Sequence, residues 1–304
     1  MLSDSLEATR ALRPFLSNTP FVHSVPLSRH FAREVWLKLE TESPVGSFKA
    51  RGALYCLITH ARQGHRVFVT ASTGNHGMAV AYAGRVLGFE THIFVPSNAS
   101  PRKIRLIEQY TSHLTLTEVD FDDAKRLARD LAEREGYYFI DDGGEPSIVA
   151  GTGTIGLEIL AEWTPEAVIV PVGNGALISG IGTVMKALSP ATRVIGVQPQ
   201  QAPTMYLSWK ERRPVQLEKI STIADGLASR VAVPEAVETM LNVVDDMVLV
   251  SEQQMLDAMS LMLRLEGRII EPSAAAAVAA LGLDELHARD VAAIMTGRNC
   301  ETPL

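Results

Sequence analysis

The sequence predicts an α/β protein built on largely parallel, buried sheets, and three observations carry that reading. Apolar strand-like runs alternate with segments of helical period along almost all of the 304 residues. The runs are rich in Val, Ile and Leu, as strands covered on both faces are. With 46% apolar and 21% charged residues, the chain has the composition of a soluble globular protein and is long enough to bury a large core. In order, the strand-like runs are 35–39, 66–70, 91–95, 114–119, 137–140, 167–172, 193–197, 247–250 and 291–295. Between them lie helical stretches such as 50–61 and the face formed by Ala79, Tyr82, Ala83 and Val86. Nothing repeats at a fixed period and no low-complexity linker divides the chain, so one large domain or two moderate ones both fit. The turn-rich cluster Asp141-Asp142-Gly143-Gly144-Glu145-Pro146 is the best candidate hinge.

Charge and composition remove several function classes. A net charge of −7 gives no electrostatic footprint for nucleic acid or an anionic membrane. Cys56 and Cys300 are too few and too far apart for a disulfide framework or a zinc site. His23, His30, His60, His65, His92, His113 and His287 show no metal-ligand spacing and read as surface or packing residues. The amino terminus carries acid rather than a basic start, and the longest apolar candidate, 274–283, is too short to span a bilayer. A cytoplasmic protein is expected.

Four loops carry the candidate chemistry. The first is Ser43-Pro44-Val45-Gly46-Ser47-Phe48-Lys49-Ala50-Arg51, between a strand and a helix. A lysine at a helix start is ordinarily a solvated charge. Here Gly46 and Ser47 allow a tight turn and Phe48 sets an aromatic ring beside the amine, and an amine held against apolar surface loses its proton and becomes a nucleophile. This stretch resembles the Gly-Ser-Phe-Lys segment of the fold-type II enzymes that use pyridoxal phosphate (PLP), in which the lysine carries the cofactor.

The other loops extend that resemblance. Thr70-Ala71-Ser72-Thr73-Gly74-Asn75-His76-Gly77 opens a helix whose free amides can hold a carboxylate. It resembles the Ser-x-Gly-Asn-His loop of the same enzymes, which implies that Ser72 and the helix start, at Asn75 and His76, bind the substrate carboxylate. Asn75 would also contact the cofactor's ring oxygen, and Thr73 would face the substrate with a catalytic hydroxyl. Pro171-Val172-Gly173-Asn174-Gly175-Ala176-Leu177 follows a buried strand and suits a phosphate at a helix start. Nucleotide fingerprints fail there, because Ile178 stands where a third glycine belongs and no Gly-Lys-Ser/Thr follows. The dehydratases of this family commonly have four glycines in the loop; here Asn174 and Ala176 replace two. Ile294-Met295-Thr296-Gly297-Arg298-Asn299 resembles the loop whose hydroxyl meets the pyridine nitrogen, a role that falls to Thr296. A neutral partner leaves the ring a weaker electron sink, which suits β-elimination and replacement better than transamination.

With Thr222-Ile223-Ala224-Asp225-Gly226 and Glu271-Pro272-Ser273, the resemblance runs from about residue 19 to 299 and points to the serine/threonine dehydratases, relatives of serine racemase. It implies two open, twisted, mostly parallel sheets with flanking helices: a large PLP-binding domain of residues 1–66 and 144–304 and a small mobile domain, 67–143, inserted in it. It further implies a homodimer acting on a small amino acid by loss of water from an L-hydroxy amino acid, giving a 2-oxo acid and ammonia. β-Replacement, as in cysteine or diaminopropionate synthases, and a non-catalytic amino-acid sensor are the alternatives. Related racemases and dehydratases bind a divalent ion through acidic residues where this chain has Gln198 and Thr204, so no tight magnesium site is expected. The loop 141–144 lacks the His and Asn of the serine and threonine enzymes, which leaves the choice of hydroxy amino acid open.

Overall fold

The computed structural model describes residues 2–72, 74–97, 99, 101–111, 113–118 and 121–300, without the side chains of 121 and 122. The candidate Thr73 lies outside them. After helix α1 (Leu2–Leu12), the chain runs β1 (Phe21–His23), α2 (Val25–Phe31), β2 (Glu34–Leu39) and α3 (Lys49–Arg62). It then forms β3 (Val67–Ala71), α4 (Asn75–Leu87), β4 (Glu90–Pro96), α5 (Pro101–Glu108), β5 (His113–Thr117), α6 (Phe121–Glu135) and β6 (Tyr138–Phe139). The remainder is α7 (Pro146–Glu162), β7 (Ala167–Pro171), α8 (Ala176–Leu188), β8 (Arg193–Pro199), α9 (Thr204–Glu211), α10 (Pro234–Val243), β9 (Asp246–Val250), α11 (Glu252–Glu266), α12 (Pro272–Ala280) and β10 (Asp290–Met295).

Two sheets result, as the resemblance implies. One has six strands in the order β1-β2-β10-β7-β8-β9, parallel except where β1 meets β2. The other has four parallel strands, β5-β4-β3-β6, all drawn from Val67–Phe139. Helices cover the central strands on both faces, so Ala167–Pro171 is buried at every position, whereas the edge strand β5 is largely exposed. β1 was not expected from sequence: three residues are too few to show a period. The run 137–140 pairs only over Tyr138–Phe139. The run 114–119 pairs one residue earlier than expected, over His113–Thr117, and its last residue lies outside the described set.

Glu145 ends the turn-rich cluster and caps α7. Its carboxylate accepts from the Ser147 amide at 3.1 Å, the Ser147 hydroxyl at 2.6 Å and the Tyr138 hydroxyl at 2.6 Å. Burial alone would push this carboxyl up, but His60, Ser147 and Tyr138 hold it at about 2. A carboxyl depressed in the fold contributes stability that is complete above the unfolded glutamate range and is lost as pH falls through the folded value. Acid unfolding followed by circular dichroism should therefore steepen below about pH 4.5. Glu145→Gln should start lower and stay flatter across that window.

Candidate active site

Five loops meet where the parallel strands of both sheets end. The segments after β2, β3, β6, β7 and β10 all leave carboxyl ends of strands, the side on which open α/β sheets bind ligands. Between them lies a cavity of about 840 Å³ lined by Phe48, Lys49, Ser72, Asn75, His76 and Asp142, by the 173–175 loop and Leu177, and by Thr296. Apart from Thr73, the candidate residues converge here; Ala176 is buried just behind Leu177.

Lys49 is the first residue of α3, with its amine 5.1 Å from the centroid of the Phe48 ring. The loop before it is stitched to the loop after β10. Phe48 donates its amide to Thr296 O at 3.0 Å, Arg298 donates to Gly46 O at 2.9 Å, and Ser47 bridges Gly297. The Asn299 side chain donates to Val45 O and to Asn75 Oδ1, both at 2.8 Å. Asn75 Nδ2 in turn lies 3.0 Å from each oxygen of Glu271, so the Asn75 amide is clamped at both ends. Burial pushes the Glu271 carboxyl up.

Ser72 is buried, and its hydroxyl accepts from the Gly74 amide at 3.2 Å, directly before α4. His76 turns its ring away from that helix start. Its Nε2 lies 3.2 Å from Thr70 Oγ1 and its Nδ1 3.1 Å from Asp142. Asp142 also takes the Lys49 amine on both oxygens, at 2.6 and 2.8 Å. Burial would raise its carboxyl, but His76 and Lys49 together hold it well below the usual range.

The loop after β7 is shaped by two glycines. Gly175 has φ +96°, a left-handed conformation that side chains disfavour, and a Cβ on Gly173 would stand 2.4 Å from Gly226 O. Asn174 Oδ1 accepts the Ala176 amide at 3.2 Å, and the helical ladder starts only with Ser179 N to Gly175 O at 3.0 Å. The amides of Leu177 and Ile178 thus lie outside the ladder, at the positive end of α8. Thr296, in contrast, has a buried hydroxyl with no partner, as has Ser273 on the same cavity wall. Unpaired buried hydroxyls are costly and call for a ligand atom.

A family model for pyridoxal-phosphate dependent enzymes matches residues 12–297. The chain belongs to that family. The cofactor is pyridoxal phosphate, and the residues present fit it: a glycine-shaped helix start for a phosphate, an amine beside an aromatic ring, and the orphaned Thr296 hydroxyl. Among curated relatives, the L-threonine ammonia-lyase of Thermotoga maritima is 35% identical over 304 residues, covering 99% of this chain and 76% of its own. Among solved structures, the threonine deaminase of T.th. superposes with a TM-score of 0.94 at 32% identity, covering 100% of this chain and 99% of that one. Maize serine racemase gives 0.95 at 27%, covering 99% and 94%.

Sequence reasoning gave no role to Glu271, Ser273 or Asn299, and took Asp142 only as part of the 141–144 loop that, by the resemblance, approaches the substrate side chain. The Glu-Pro-Ser opening of α12 was the available signal for two of them; Asp142 and Asn299 stand in short loops where only the fold shows what they reach. Gln198, a neutral residue at a position where the resemblance implies an acidic one, donates to Val172 O at 3.1 Å and accepts from the Tyr206 amide at 2.8 Å. Among the described residues, Cys56, His60 and Glu145, and likewise Glu90, His92 and His113, come close enough to share a metal, a proximity that sequence spacing did not reveal.

Proposed function

We propose that this enzyme is an ammonia-lyase that removes water from an L-hydroxy amino acid of the threonine or serine type, releasing a 2-oxo acid and ammonia. The observation that carries the reading is the pairing of Lys49 at the start of α3 with a neutral, otherwise unpartnered Thr296 hydroxyl across one cavity. When bound, pyridoxal phosphate supplies the electron sink for the charge left at the α-carbon. The Lys49 amine would hold it covalently and would serve as the general base that takes the substrate's α-proton. Phe48 would pack beside it, the 173–177 loop would bind the phosphate through backbone amides, and the neutral Thr296 hydroxyl would meet the pyridine nitrogen without charging it. Asn75, oriented by Glu271 and Asn299, has a second N–H for the ring oxygen. Ser72 and the first amides of α4, at Asn75 and His76, seat the substrate carboxylate, and Thr73, outside the described residues, is assigned the catalytic hydroxyl by the resemblance alone. Residues 67–143 form a small unit that closes over the bound substrate against the 1–66 and 144–304 body, and the enzyme works in the cytoplasm as a homodimer. The identity of the relatives supports the elimination.

The deciding experiment assays 2-oxo acid and ammonia from L-serine, L-threonine and the 3-hydroxyaspartate isomers with yellow, purified enzyme. Stoichiometric release from one of them is expected; colour shifts with no release from any would overturn the ammonia-lyase reading. Thr296→Val should weaken cofactor binding about tenfold, the worth of one buried hydrogen bond, as read by titration of the cofactor-free protein. Because Gln198 already bridges a strand and a helix start, magnesium added over chelator should change turnover less than twofold, to about the scatter of such assays.

A further inference from the structure

Two neighbouring aspartates leave β6 with different surroundings. Asp141 is occupied by Lys125 at 3.0 Å and Arg129 at 3.3 Å. Asp142 faces the cavity, with the Lys49 amine on both oxygens and His76 at 3.1 Å. The other two carboxylates of the cavity wall are also taken: Glu271 by Asn75, and Asp225 by Lys103. Asp142 is therefore the lining carboxylate whose cation is the very amine that the proposed function commits to the cofactor. Gly143 and Gly144 follow it; around Gly144 the space for a side chain is open, whereas a Cβ on Gly143 would stand 2.6 Å from Val233.

We propose that Asp142, backed by His76, reads the substrate side chain, so that the site favours hydroxy amino acids carrying a side-chain ammonium over neutral ones and rejects those with a second carboxylate. The placement rests on the ammonia-lyase reading, which gives Lys49 its covalent task. Bonded to the cofactor, or free and uncharged as the general base until it takes the α-proton, the Lys49 amine gives Asp142 no full positive charge, which leaves Asp142 an imidazole in a partly desolvated wall. An ammonium from the substrate restores the pairing, and a carboxylate there sets like charges side by side. Asp142 lines the same cavity as Ser72 and Asn75, the proposed seat of the α-carboxylate.

The test uses amino acids with no β-leaving group, so binding is read without turnover. L-2-Aminobutyrate, L-2,4-diaminobutyrate and L-aspartate have equal chain length and neutral, cationic and anionic side chains. They are titrated into the holoenzyme by calorimetry and by the cofactor's absorbance. Diaminobutyrate is expected to bind about tenfold or more tightly than aminobutyrate, and aspartate about tenfold more weakly. Asp142→Asn should bring the three within roughly threefold of one another, and Asp142→Glu should restore the order. Absence of the wild-type preference for diaminobutyrate overturns the proposal with no variant needed. So does an Asn variant that weakens all three probes alike, which would make Asp142 a positioning residue for Lys49. Should Asp142→Asn fail to fold, Asp142→Ser makes the same comparison. Missing product release from the hydroxy amino acids, with this ranking intact, counts against the ammonia-lyase reading instead.

Discussion

Lys49→Ala should remove the visible absorbance of the purified enzyme and lower turnover by about four orders of magnitude or more. One amine both holds the cofactor and moves the α-proton in the proposed reaction, and a positioned base alone is worth roughly 10²–10⁴. The fold should persist, because the Lys49 side chain keeps some exposure at the cavity wall and its salt-bridge partner among the described residues, Asp142, keeps His76 at 3.1 Å. The checks are absorbance after cofactor loading, product release, and a circular dichroism melt. Activity within tenfold of wild type would remove Lys49 from the mechanism.

Arg51→Met should cost roughly 3–5 kcal/mol of stability, the penalty for breaking a buried ion pair from one side. Two residues beyond Lys49, the Arg51 guanidinium meets Glu40 at 2.8 and 2.9 Å, Glu158 at 2.6 and 2.8 Å, and the hydroxyls of Thr154 and Thr19 at 3.0 Å each. Lys38, fully buried, completes the group at 2.5 Å from Glu158 and 2.6 Å from Thr19 O. Two cations and two carboxylates balance. Although burial opposes the charge, Glu40 and Glu158 hold the Arg51 guanidinium firmly protonated. Removing Arg51 leaves two carboxylates against one ammonium with no solvent to screen them. Urea unfolding should show the loss as a lower midpoint. A loss under about 1 kcal/mol would mean that water reaches the group.

What could be read from sequence, and what could not, divides by range. Buried parallel strands announce themselves because each is a contiguous apolar run; 167–172 was placed within a residue of Ala167–Pro171. The four site loops were legible because each joins a strand to a helix or ends a strand, and because their glycines and hydroxyls have local reasons to be there. The Arg51 cluster was not legible: Lys38, Glu40, Arg51 and Glu158 look like surface charges until the fold brings residues more than a hundred positions apart into contact. The clamp on Asn75 has the same character, since Glu271 lies 196 positions away and Asn299 lies 224. Asp142 was visible only as a loop residue of unusual kind; its grip on Lys49 spans 93 positions.

The place of β10 has a consequence for how the protein is made. This strand, Asp290–Met295, occupies an interior slot of the six-stranded sheet, pairing β2 on one side and β7 on the other. On the ribosome, β2 and β7 emerge long before it and wait with open, apolar edges that invite pairing with other nascent chains. Only when residue 295 clears the exit tunnel can the sheet close and Thr296 come up beside Phe48. Synthesis stalled before that point leaves a chain with most of its helices and no active site, a natural client for chaperones.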